Sequence, residues 1–369
     1  MLIWVAALIG TQVGEPADHC RRAAAVVPTK QCHLNPHGAV LAADAAEAAR
    51  LGAMLRAGEE RFQRHFGRAP VPYALIQAAA PGEEAALRGA GFTQVLGWLT
   101  FEQLQDATLA SVRRGAEARA TAQGLSGEQA TAAAEQAVAT WRSTNSRESR
   151  LAQEEGVVPH EAGHGWFIRT FWPDLAPATR TGHYGGPAPD WMDETAAILM
   201  ENDEFAEQRR RGFEQVYRDG ERSAALTDIT AAELIDLPHF LSRTHPMAGS
   251  GSSILSAEQM RARQLSEGTN IVVMSGDEAR QRGRGGLMFY LQGRMFADFL
   301  VEQTGDPQVF AQIGAALARG DTMEQWLAAA GPRHRLPTTV AALDQAWRGW
   351  LIAKFGPPGT AAPPAGTTA

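Results

Sequence analysis

The chain has 369 residues, 44% of them hydrophobic, enough to bury a substantial core in one large or two moderate domains. A formal net charge of -7 leaves no basic field to track a phosphate backbone, which argues against sequence-independent nucleic-acid binding. With two cysteines it cannot build a four-thiolate zinc site, and no stretch approaches the roughly 20 apolar residues of a membrane helix.

The first apolar run, Leu2 to Ile9, reads either as the core of an export signal spanning residues 1–18 or as a buried strand. No Lys or Arg precedes it and no clean small-x-small cleavage pattern follows. Export would favour a Cys20–Cys32 disulfide; a reducing compartment would leave two thiols. Residues 43–67 place Leu51, Met54, Leu55, Phe62 and Phe66 at three- and four-residue spacing and stop at Gly67, which predicts an amphipathic helix. Residues 71–78 and 92–101, bounded by Gly and Pro, predict strands, and helices follow over 102–122 and 127–143. The segment VVPHEAGHGWFI, 157–168, reads as a buried helix. Further helices are predicted over 190–202, 204–219, 231–243, 256–266, 286–303, 307–318 and 322–330, with loops at 248–254 and 280–286. Residues 357–368 are too poor in apolar groups to pack and read as a disordered tail. The expected fold is α+β and predominantly α. It has a strand-containing part over 19–125, a helical region over 126–355 and a Pro/Ala/Thr tail over 356–369.

Within 157–168, His160 and His164 stand four residues apart. On a helix they project about 40° apart from one face, one turn along, so both imidazoles can meet one metal ion. Glu161, beside the first histidine, is placed to reach a water rather than the ion, which suits a general base. A buried carboxylate and two histidines are costly in an apolar helix unless something pairs with them, and zinc would do so. The alternative is a pair of core histidines bonded to backbone. The third ligand of the long HExxH motif would be a histidine at 170, but Thr170 stands there and Phe167 replaces its glycine. A carboxylate on a second helix remains, and APDWMDETAAILME (188–201) supplies Glu194, with Asp193, Asp190 and His183 as alternatives.

His160-Glu161-Ala162-Gly163-His164, followed by Trp191-Met192-Asp193-Glu194-Thr195-Ala196-Ala197, resembles the gluzincin metallopeptidases, the superfamily of thermolysin and the aminopeptidase N type enzymes. The resemblance implies a zincin-like catalytic domain and zinc held by His160, His164 and Glu194. It further implies peptide or protein substrates and hydrolysis with Glu161 as general base. Tyr290-Leu291-Gln292-Gly293 is similar to the aminopeptidase stretch whose tyrosine steadies the oxyanion, with Gln in place of Lys. Where thermolysin has an aspartate four residues after its ligand Glu, Ile198 stands, leaving Asp193 or Glu201 to orient a histidine. No counterpart of the aminopeptidase segment that binds a free amine is present. A non-catalytic zinc-stabilised binding domain and a zinc hydrolase of non-peptide substrates are the other expectations. His183 and Tyr184 are expected to line the cleft or form a turn; His239 and His245 read as structural or surface residues.

Overall fold

The structure is a computed structural model that describes residues 17–174, 186–219, 229–246 and 276–359. The N-terminal apolar run, His183, Tyr184, the 248–254 loop, the 256–266 helix and the tail beyond 359 lie outside these residues. The fold is α+β and predominantly α: a small mixed sheet near the N-terminus, then helices.

The chain opens with α1 (Ala17–Val26), the hairpin of β1 (Gln31–Leu34) and β2 (Gly38–Ala42), and α2 (Ala45–Phe66). There follow β3 (Tyr73–Gln77), α3 (Glu83–Gly89) and β4 (Gln94–Trp98). The sheet order is β1-β2-β3-β4; the first pair is antiparallel and the rest parallel. The sequence reading finds β3 and β4 but misses β1 and β2. The reason is physical: β1 (QCHL) is four residues long and exposed at both ends, and β2 (GAVLA), wholly buried like β3 (YALIQ), lacks an aromatic residue to mark it as a strand. Val40, Tyr73 and Leu75 face the main core with α2, while Ala39, Leu41, Ala74 and Ile76 face a smaller one under α1 and α3. Cys20 of α1 and Cys32 of β1 form a disulfide that staples this smaller layer.

One buried group on the α2 side of the sheet predicts a pH dependence. Glu59 of α2 accepts from the His37 backbone N–H at 3.3 Å, and burial pushes its carboxyl up to about 7, against a lowering hydrogen bond from Tyr73. The folded protein thus keeps a proton that the unfolded chain releases near 4.5. Stability from this group is full below pH 4.5 and declines as pH rises through 7, by about 3 kcal/mol at most. Glu59→Gln should flatten that decline in urea unfolding between pH 5 and 8. An unchanged slope would assign it to other groups.

Next come α4 (Phe101–Ala122) and α5 (Gly127–Thr144), packed on each other as a hairpin, each opened by a capping box, at Thr100 and Ser126. The long α6 (Arg147–Phe171), capped by Ser146, crosses α2: Phe62 and Phe66 stack on Trp166, Phe167 and Phe171. The helical remainder comprises α7 (Asp190–Ile198), α8 (Asp203–Asp219), α9 (Ala231–Leu234), α10 (Leu237–Ser242) and α11 (Gly276–Thr304). It ends with α12 (Val309–Ala318), α13 (Met323–Ala330) and α14 (Val340–Phe355). No helix among the described residues is long and apolar enough to cross a membrane.

Two predicted boundaries need correction. The single helix expected over 231–243 is two, because Pro238 has no N–H for the carbonyl four residues back and Asp236 caps a new start at the His239 N–H. The loop expected at 280–286 belongs to α11. One of its glycines is used for contact rather than for turning: a Cβ on Gly285 would lie 2.4 Å from Pro246. That close approach seats the chain next to His245.

Candidate metal centre

Two helices carry the site. Pro159 stands inside α6 immediately before His160, so the Glu155 carbonyl loses its helical partner there. One turn on, Gly163 lets α7 come in: a Cβ there would lie 3.0 Å from the Ala197 Cα and 2.7 Å from the Met200 side chain. At Gly165 the Gln94 side chain fills the same kind of gap and donates to the Ala162 carbonyl. These glycines therefore serve close packing of α7 and β4 on α6. Every residue of α7 is buried, including Asp190, Asp193, Glu194 and Thr195. A wholly buried helix with three carboxylates is stable only if each finds a partner.

His160, His164 and Glu194 offer ligand atoms that all lie within 4.8 Å of one another. The Nε2 of His160 is 3.7 Å from Glu194 Oε2, and the Nε2 of His164 is 3.9 Å from Oε1. Both rings thus turn the same nitrogen to the same carboxylate, and each backs its other nitrogen onto an acid. His160 Nδ1 hydrogen-bonds Glu201 Oε1 at 3.0 Å, and His164 Nδ1 lies 3.0 Å from Asp193 Oδ1. A carboxylate behind Nδ1 selects the tautomer that leaves Nε2 as a lone-pair donor. Glu194 Oε2 is buried with no hydrogen-bond partner among the described residues. Two imidazole nitrogens and a carboxylate oxygen are a donor set that suits Zn²⁺, and these three residues could hold such an ion.

The electrostatics point the same way. Burial alone would strip the proton from His164, but Asp193, Glu194 and Glu161 around it hold the ring's proton up to about 10. Burial raises the Glu194 carboxyl, with Asp193 and Glu161 adding to the rise against His164 and His160. A divalent ion held among these acids would offset more of their charge than one proton does. Glu161 is exposed, on the open side of α6, yet near enough for its charge to act on both His164 and Glu194.

The alternatives for the third ligand have other occupations. Asp193 backs His164. Asp190, expected as a cap, is the first residue inside α7, and its carboxylate accepts the His245 backbone N–H at 2.6 Å. Tyr290 of α11 does reach the site: its half-buried ring stands edge-on to His160, centroids 5.7 Å apart. Glu201, weighed in the sequence as an orienting acid, takes that place behind His160.

Two residues of the site escape the sequence reading. His245, expected to be structural or at the surface, is buried with Nε2 3.2 Å from Glu194 Oε1, and burial first, then His164, Arg243 and His160, lower its pKa to about 3. A neutral imidazole thus faces the carboxylate. His239, by contrast, is exposed. The second is Arg209 of α8, which clamps Glu201 with Nε to Oε2 at 3.0 Å and Nη2 to Oε1 at 2.6 Å. Its guanidinium also lies 4.3 Å over the Tyr290 ring. Burial would raise the Glu201 carboxyl, but the bonds from His160 and Arg209 hold it below the usual range. Nothing in the exposed-looking run EQRRRG distinguishes Arg209 from its neighbours, since only the packing of α8 decides which arginine turns inward.

The clamp has a measurable consequence. Glu201→Gln exchanges an ionised acceptor behind His160 for an amide, and loss of such a partner typically costs 10–100-fold in metal affinity. Chelator competition should find zinc held that much more weakly, with the unfolding midpoint of metal-free protein changed little. Equal zinc affinity would show that His160 needs no anion behind it.

Comparison with known protein families, characterised proteins and solved structures found no match.

Proposed function

We propose that this chain is a zinc-dependent metallopeptidase of the gluzincin type, with His160, His164 and Glu194 as metal ligands and Glu161 as general base. The observation that carries it is the convergence of both Nε2 atoms on Glu194, whose Oε2 lacks a hydrogen bond, with Glu161 exposed beside them. Zinc, when bound, supplies Lewis acidity toward a carbonyl oxygen and lowers the pKa of water. Glu161 takes the proton of the attacking water and delivers it to the leaving amine. Glu201 and Asp193 keep the two rings in register through their Nδ1 atoms. Tyr290, its ring held between Arg209 and His160, is the candidate hydroxyl donor to the developing oxyanion.

A peptide substrate is supported by β4. It is the last strand of the sheet, and it runs along α6 in the opposite direction: Gln94 bonds the Ala162 carbonyl and Trp98 bonds Glu154. Gln94 N bonds Pro72 O and Ala78 N bonds Trp98 O, so residues 94, 96 and 98 turn their peptide groups to β3. Val95 and Gly97 turn theirs to the outer edge, where an extended peptide finds backbone partners beside Glu161. An exposed acid at that place favours an enzyme over a non-catalytic zinc domain. The test is digestion of a peptide mixture by zinc-loaded wild type and Glu161→Gln. Cleavage confined to wild type is the expected result; cleavage of ester or amide model compounds but no peptide would favour a different zinc hydrolase.

A further inference from the structure

Among the described residues a cavity lies outside the metal centre, where the α4–α5 hairpin meets the start of α6. It measures about 220 Å³ and is walled by Phe101, Leu104 and Thr108 of α4, Trp141 of α5, and Ser149 and Gln153 of α6. An apolar cavity of about 150 Å³ accepts benzene, so this one has room for an aromatic side chain.

Its position relates it to the metal centre. Seven residues separate Gln153 from His160, a rotation of about 20° and an advance of about 10 Å on α6. Gln153, Val157, His160 and His164 therefore form one stripe along the helix. Gln153 is exposed, Val157 and His164 are half-buried, His160 is buried and Glu161 beside it is exposed, so the stripe opens to solvent at its Gln153 end and next to Glu161. The outer edge of β4 covers the same length of α6, and the chain passes from Trp98 through the Thr100 cap directly into Phe101 at the cavity's mouth. A chain extended along that edge advances about 3.3 Å per residue, so it spans the 10 Å in about three.

We propose that this cavity is a substrate subsite which takes a large aromatic or branched apolar side chain, about three residues from the bond that is cut. The proposal rests on the peptidase reading. The indole of Trp141, the ring of Phe101 and the Leu104 side chain form the apolar wall, and removal of a substrate side chain from water against them is the source of selectivity. Arg150 also lines the cavity, 3.9 Å from the buried Glu154 carboxylate, which offsets its charge. The hairpin thus acts as a selector set beside the metal centre.

The experiment uses zinc-loaded full-length protein and peptides with one defined cleavage point, varied to Phe, Leu, Ala or Glu three positions to either side. On one side only, wild type should prefer Phe over Ala by about tenfold or more in kcat/KM. Thr108→Trp and Ser149→Trp fill the cavity from two different helices, α4 and α6, and each should bring that ratio toward one. Zinc stoichiometry and the unfolding midpoint verify that each variant is folded, and two walls guard against the loss of either. Peptides that are cut with no preference at that distance, a ratio unchanged in both filled variants, or a preference for Glu would each overturn the subsite while leaving the peptidase intact. A zinc-loaded wild type that cuts no peptide would instead overturn the peptidase reading and this inference with it.

Discussion

Replacing Glu161 by Gln is expected to lower kcat by about 10³-fold, within the 10²–10⁴ that general-base catalysis typically contributes, while zinc stays bound at one equivalent. The separation follows from the geometry. Glu161 belongs to none of the ligand contacts: both histidines turn Nε2 to Glu194, and their Nδ1 atoms are occupied by Glu201 and Asp193. Gln keeps the volume and polarity of the exposed side chain but cannot accept a proton. Metal analysis and peptide turnover on the same samples make the comparison. A variant within a few-fold of wild type would remove Glu161 from the mechanism, and a variant that loses zinc would make it a ligand.

Replacing Glu194 by Ala is expected to abolish specific zinc binding and its effect on stability. Zinc at a hundred times its Kd should stabilise the wild type by about 2.7 kcal/mol, and the variant by nothing measurable. The metal-free variant should be at least as stable as metal-free wild type, since the lost carboxyl is one that burial, Asp193 and Glu161 already oppose in its ionised form. Asp193→Asn, which leaves all three ligands in place, should retain zinc with affinity lowered about 10–100-fold. The reverse ranking would exchange the roles of the two acids. Affinity in wild type should rise with pH, because His164, protonated up to about 10 without metal, must release that proton to bind.

The two halves of the site differ in how far the sequence discloses them. His160, Glu161 and His164 are legible because a single helix sets their relation, and a spacing of four fixes it before any tertiary contact forms. Glu194 is legible as one of several acids on a second helix; its choice over Asp193 depends on how α7 rotates against Gly163, a matter of packing. Helices α2, α4 and α5 are read nearly to the residue because their caps and apolar stripes are local signals. The hairpin of β1 and β2 is missed because β1 is a four-residue strand exposed at both ends and β2 is a run of small and aliphatic residues with no aromatic or alternating signal.

The sequence by itself determined the arrangement on which the zinc-peptidase proposal stands: two imidazoles and a carboxylate on one turn of helix, and a second acidic helix thirty residues on. Only the tertiary structure decided which acid meets both Nε2 atoms and which acids stand behind the Nδ1 atoms. It also decided that His245 faces Glu194, that Arg209 joins Glu201 to Tyr290, and that a cavity opens along the same face of α6. The physical reason is the range of the interactions. Helical spacing and capping act within a few residues, whereas His245, Arg209 and Tyr290 reach the site across 85, 49 and 130 positions from His160, through packing that no local pattern encodes.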